Sequence, residues 1–104
     1  MIFHIADRDR WLASQAEGIY TASTLGRELA DEGFIHLSTA EQVPGVVDRF
    51  YRGLPNLVLL HIDQSRLTAR IVFEQVGDAP EPFPHLYGPL NTDAVVHVDD
   101  PLRT

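Results

Sequence analysis

The sequence predicts an α+β fold, and three observations point there. Short runs rich in branched aliphatic and aromatic residues recur along the chain and read as strands. The helical signals fall early and the strongest strands late, the order of a segregated fold and not of a βαβ repeat. At 104 residues the chain can build one hydrophobic core and is too short for two ordinary domains, so residues 1–104 are read as a single domain.

Taken in order, Ile2 to Ala6 opens the chain as a strand. Asp7 stands where it can cap a helix from Arg8 to Glu17, with Trp11, Leu12 and Ala16 expected on one face and Gly18 as the stop. Tyr20 to Ala22 reads as a short edge piece, Leu25 to Asp31 as a weaker helix, and Phe34 to Leu37 as a second strand. Ser38-Thr39-Ala40-Glu41 has the spacing of a capping box, with the serine hydroxyl accepting from the third amide and Glu41 reaching back. The helix it starts meets Pro44, where the first turn is expected to break or restart. Val46, Val47, Phe50 and Tyr51 then recur at helical spacing until Gly53. Leu57 to Asp63 is the strongest strand and Ile71 to Val76 the next. His85 to Tyr87 is read as another short edge piece, and valine-rich Ala94 to Val98 as the last strand. That last strand is placed either inside a sheet or across a weak dimer, so a monomer or weak dimer is expected.

Charge and composition remove several classes of function. Eight basic against fifteen acidic residues give a net charge of −7, which disfavours polyanionic partners. No nucleic acid and no membrane are therefore expected as partners, and a cytoplasmic location is. Cysteine is absent, which excludes disulfides, thiolate metal sites and a cysteine nucleophile. Lysine is absent too, so side-chain Schiff-base chemistry is excluded and all eight basic residues are arginines. Among these, Arg8 and Arg10 in a first helical turn are phosphate candidates, whereas Arg49 and Arg52 complement a helix C-terminus.

The five histidines, His4, His36, His61, His85 and His97, are each followed by Ile, Leu or Val, so all sit in strand-like sequence. No H-x-H or H-x-x-x-H pair occurs, so a metal site would need ligands converging from separate strands, and none is assigned. His61 and His97, in strands ending at Asp63 and Asp99, read as structural. Three segments gather polar groups in apolar surroundings: Ile2 to Ile5, Gly33 to Ser38, and Phe83 to Leu90. In the second, His36 and Ser38 share a strand face; in the third, His85 and Tyr87 do. An imidazole can hydrogen-bond a ribose hydroxyl and a phenol ring can stack on a planar ligand; the same residues could equally pin a loop to the core. Of the carboxylates, Glu74 alone lies within a strand pattern. It reads equally as a functional acid or base and as a solvent-facing edge residue.

Gly33-Phe34-Ile35-His36-Leu37-Ser38 with Glu41-Gln42-Val43, and Phe83-Pro84-His85-Leu86-Tyr87-Gly88-Pro89-Leu90, resemble the signature of domain-of-unknown-function family 952. His4, Trp11, Arg49-Phe50-Tyr51-Arg52-Gly53 and Leu57-Val58-Leu59-Leu60 match the same pattern, so the resemblance spans nearly the whole chain. The family has no established activity. The resemblance implies an ADP-ribosyltransferase-like fold, two small curved mixed or antiparallel sheets with two or three helices around a nicotinamide-dinucleotide cleft. Carried onto this chain, it implies ligand-binding roles for His4, His36, Ser38, His85 and Tyr87. Glu74 stands in for the catalytic glutamate, and NAD is the implied ligand or substrate. Two functions are thereby opened: a pocket for a nucleotide-like small molecule, and ADP-ribosyl transfer or glycohydrolysis at the nicotinamide–ribose bond. The histidines separately leave a third, a metal-dependent hydrolase, which would need three of them to meet in space.

Overall fold

The computed structural model describes residues 1–103. In chain order its elements are β1 (Ile2–Asp7), α1 (Arg8–Glu17), β2 (Ile19–Tyr20), β3 (Ala22–Thr24), β4 (Arg27–Glu28), α2 (Leu29–Glu32) and β5 (Ile35–His36). There follow α3 (Val43–Val46), which runs on as a π-helical turn over Val47–Tyr51, then β6 (Leu57–Ile62), β7 (Arg70–Glu74), β8 (Phe83–Tyr87), β9 (Leu90–Asn91) and β10 (Val95–Asp99). This is the predicted α+β class, with three helices and several small sheets whose pairings are all antiparallel. Two sheets have three strands, in the orders β1-β6-β10 and β5-β8-β7; β2-β9 and β3-β4 are two-stranded. A bridge between Phe3 and Ser38 joins the two larger sheets. No helix among the described residues is long and apolar enough to cross a membrane.

β6 organises the core because it is apolar on both faces. Val58, Leu60 and Ile62 enter the main core with Ile2, Ala6, Trp11, Tyr20, Ile35, Leu86 and Leu90. Leu57 and Leu59 face the other way and pack with Ile5 and Val43, so α3 closes a second, smaller cluster. Each fully buried aliphatic chain here contributes on the order of 1.5–3 kcal/mol.

Helix α1 starts and stops as predicted: Asp7 accepts from the Arg10 amide at 3.0 Å, and Gly18 ends it in the left-handed region at φ 83°. Its buried face differs. Trp11 and Ser14 point inward, while Leu12 is 53% exposed and Ala16 is also exposed. A helix lying on the surface buries one narrow stripe, and Ser14 fits there because its hydroxyl donates to the Arg10 carbonyl at 2.8 Å.

Four other expectations are corrected. The helix expected over Leu25 to Asp31 is only the turn α2, because Arg10 clamps Glu28 through two 2.7 Å hydrogen bonds and holds it in β4. Tyr20 to Ala22 is divided between β2 and β3, which join different sheets. The capping box does not form: Ser38 is held in its bridge to Phe3, α3 begins only after Gln42, and it is the Gln42 side chain that accepts from the Thr39 amide at 2.9 Å. Finally, His85 to Tyr87 belongs to a central strand, β8, and not to an edge. Pro84 is tolerated there because its position falls beyond the short β5 ladder, where its carbonyl accepts from the Leu37 amide at 3.1 Å. Gly88 follows because a Cβ at that position would lie 2.7 Å from the Ala69 Cβ.

Leu60→Ala should lower the urea unfolding free energy by about 2–5 kcal/mol, whereas exposed Leu12→Ala should change it by no more than about 0.5 kcal/mol. Equal losses at both positions would contradict the assigned core.

Candidate functional site

The sheet β5-β8-β7 builds the site by register. His36 pairs opposite His85, Val72 opposite His85 on the other side, Glu74 opposite Phe83 and Arg70 opposite Tyr87. Alternation then sends Ile35, Leu86 and Ile71 to the core and leaves His36, His85, Glu74 and Tyr87 on the opposite face. Phe34 covers that face, its ring stacked on His85 at 4.0 Å and tilted against Tyr87 at 5.5 Å.

Glu74 is the hub of this face. Its Oε1 accepts from His85 Nδ1 at 2.7 Å and from the Tyr87 hydroxyl. The Tyr87 bond first and the His85 bond second hold the Glu74 carboxyl below the usual carboxylate range, and the same carboxylate raises the Tyr87 phenol. Arg70 lies over the Tyr87 ring at 5.8 Å. Because a carboxylate only accepts, His85 Nδ1 must carry a proton, and in the neutral ring Nε2 is a free lone pair. That Nε2 is buried and has no hydrogen-bond partner among the described residues.

A cleft of about 360 Å³ opens at the end of this face, lined by His36, Ser38, Phe83 and His85 from the strands. Val46, Phe50 and Tyr51 of α3 and its π-turn form the facing wall, and Thr24 and Leu25 of the β3–β4 hairpin form the end. Most of this lining is apolar, with a few convergent polar groups, the usual makeup of a small-molecule site. Thr24 Oγ1 and the Tyr51 hydroxyl are 2.6 Å apart and fasten the hairpin to the helical wall. A second groove of about 670 Å³ adjoins it, sharing Val46, Phe50, Val76 and Phe83 and adding Arg49 and the proline loop.

Of the sequence-predicted residues, His36, Ser38 and His85 thus come together in one cleft. Glu74 and Tyr87 stand behind His85 and are not among the lining residues. His4 lies deeper. Its Nδ1 donates to the His36 carbonyl at 2.6 Å and its Nε2 accepts from the Tyr20 hydroxyl at 2.8 Å, so both ring nitrogens are engaged. Burial pushes its pKa down to about 4. His36 is also lowered, by burial, with the Glu32 carboxylate at 3.5 Å opposing. The arginines singled out for phosphate are occupied: Arg8 pairs with Asp100 and Asn56, and Arg10 with Glu28 and Thr21. Phe34, Tyr51 and Thr24 were missed as site residues. Phe34 sits two residues before His36, so strand alternation was the signal that could have found it.

These features define a small α+β protein of antiparallel sheets with a histidine-lined cleft between sheet and helix. The chain belongs to the family described as protein of unknown function DUF952, whose profile matches residues 5–98. It is similar to the crystal structure of protein CC0527 from Caulobacter crescentus, with 33% identity and a TM-score of 0.79 over 93% of this chain and 82% of that one. The solution NMR structure of CC0527 matches at 32% identity and TM-score 0.70, over 95% of this chain and 82% of that one. No curated protein matches.

The His4 environment gives a pH prediction. Its folded pKa of about 4 lies below the ordinary 6.5, so the unfolded chain binds more protons between those values and stability falls as pH drops through that window. Urea titrations should show a loss of roughly 3 kcal/mol from pH 7 to pH 4 attributable to His4. His4→Gln should flatten that slope. An unchanged slope in a folded His4→Gln protein would contradict it.

Proposed function

We propose that the cleft binds a small nucleotide-like molecule, with His85 Nε2 accepting a ligand hydroxyl. The observation that carries this reading is the buried, unpartnered Nε2 of a ring that lines the cleft. An unmade hydrogen bond of this kind costs about 1–3 kcal/mol, which a ligand donor would recover. Glu74 fixes the ring orientation, the Ser38 hydroxyl supplies a second polar contact, and Phe50, Tyr51 and Phe83 offer aromatic surface. The net charge of −7 favours a free small molecule over a polyanion.

We read the two three-stranded sheets as an ADP-ribosyltransferase-like arrangement, which is why NAD and ADP-ribose are the first ligands to try. Transfer or glycohydrolysis at the nicotinamide–ribose bond is the second reading. It draws on the carboxylate–imidazole pair, which resembles an oriented general base. Binding is favoured over it because Glu74 is engaged by His85 and Tyr87 and stands outside the lining, where it is a positioning residue and not a support for a ribosyl cation.

Titration with NAD or ADP-ribose should raise the melting midpoint in a saturable way. His85→Ala and His36→Ala should weaken binding about tenfold, close to 1.4 kcal/mol. His61→Ala should not. No stabilisation by either compound, or equal weakening by His61→Ala, would contradict the reading. Nicotinamide release from NAD, followed in parallel, would favour the enzymatic alternative.

A further inference from the structure

The far face of the β1-β6-β10 sheet carries a second histidine cluster unrelated to the cleft. His97 on β10 pairs directly opposite His61 on β6, and their rings meet edge to face at 4.8 Å. This juxtaposition depends on an irregularity. The β10–β6 register shifts between Val95 and His97, so an extra residue is accommodated and His97 is brought to the position that Val96 would otherwise occupy. Asp99, two residues on, shares the face of His97. One carboxylate oxygen lies 2.9 Å from His61 Nε2 and the other 3.0 Å from His97 Nε2. Phe3 on β1 closes one side, its ring edge-on to His61 at 4.8 Å.

We propose that His61, His97 and Asp99 form a three-ligand site for a divalent transition metal of the zinc class. All three ligand atoms lie within 4.8 Å of one another. Tetrahedral zinc with bonds near 2.0–2.1 Å requires ligand atoms about 3.3 Å apart, so shifts of an ångström or so complete the geometry. Two imidazoles and a carboxylate form a nitrogen–oxygen set suited to zinc, cobalt, nickel or copper and ill suited to magnesium or calcium. Without metal each Nε2–H donates to Asp99; on metal entry the ring proton is carried on Nδ1 instead, through exchange with solvent, and the Nε2 lone pair is freed for the ion. The His61 side chain is 25% exposed and that of Asp99 21%, which holds two ligands in place, while His97 at 63% is open enough to swing onto an entering ion. Three protein ligands leave a coordination position for water or a small anion.

The test is zinc chloride titration of tag-free protein, followed by calorimetry and by the imidazole proton signals in NMR. One zinc per chain is expected, with the His61 and His97 signals shifting together. His97→Ala and Asp99→Asn should each weaken binding by about tenfold or more, a loss that even outer partners of a metal can cause. Both variants should keep the wild-type amide spectrum, since His97 is exposed and an asparagine side chain preserves the shape of the aspartate it replaces. Asp99→Asn also separates ligation from a purely structural tie between β6 and β10. Failure to bind zinc at millimolar concentration would overturn the proposal. So would unchanged affinity in either variant, or loss of binding in His85→Ala in place of these two, which would put the metal in the cleft.

Discussion

The structure depends on a neutral histidine buried between sheets. His4 sits on β1, donates through Nδ1 to the backbone of β5 and accepts through Nε2 from Tyr20 of β2. One ring therefore connects strands from three separate sheets, in a chain whose individual sheets have only two or three strands. Sheets that small are marginal by themselves and need neighbours to pack on. A carbonyl only accepts, so His4 carries a proton on Nδ1, and in the neutral ring Nε2 accepts from the Tyr20 hydroxyl. Desolvation holds it in that state. The bond to the His36 carbonyl has a direct consequence for the cleft, because it fixes the backbone of the residue whose side chain lines it.

The same principle recurs around His85, with one nitrogen left over. Glu74 orients the ring through Nδ1, Phe34 stacks on it, and Tyr87 steadies the glutamate. His4 is thus a completed arrangement and His85 an incomplete one in a similarly buried setting. Hydrogen bonding and not burial separates the two rings, since they are 3% and 4% exposed. The histidine pair on β6 and β10 is a third variant, in which both rings meet one carboxylate at a partly exposed sheet face.

What the sequence revealed follows from how local each signal is. The strands β1, β6 and β10 and the ends of α1 were legible because apolar runs, an aspartate cap and a glycine stop act within a few residues. The grouping of His36, Ser38 and His85 was legible through two long motifs, although nothing in either shows that β5 pairs with β8. Long-range pairing accounts for what was not legible. His85 to Tyr87 read as an edge piece, and only the short length of β5 makes Pro84 compatible with a central strand. Ser38 and Glu41 formed a sound capping pattern, but the bridge to Phe3, far away in sequence, took the serine. His61 and His97 looked like isolated sheet histidines because a register shift in β10, invisible in composition or periodicity, brings them face to face. Glu74 was found as a strand carboxylate; its attachment to His85 depends on a diagonal contact across β7 and β8, and Tyr87, opposite Arg70, reaches it from two pairs further along.

The central claim is that an oriented imidazole with a free Nε2 lone pair defines the cleft, and its most direct test is the tautomeric state of the histidines. Long-range nitrogen–proton NMR of the imidazoles at alkaline pH, where imidazoles are neutral, resolves which ring nitrogen carries the proton in each. The account predicts the Nδ1–H tautomer for both His4 and His85, with Glu74→Gln perturbing the His85 signals and leaving those of His4 in place. An Nε2–H tautomer at His85 would contradict it, because the nitrogen assigned to the ligand would then be a donor and the Glu74 bond could not exist as described.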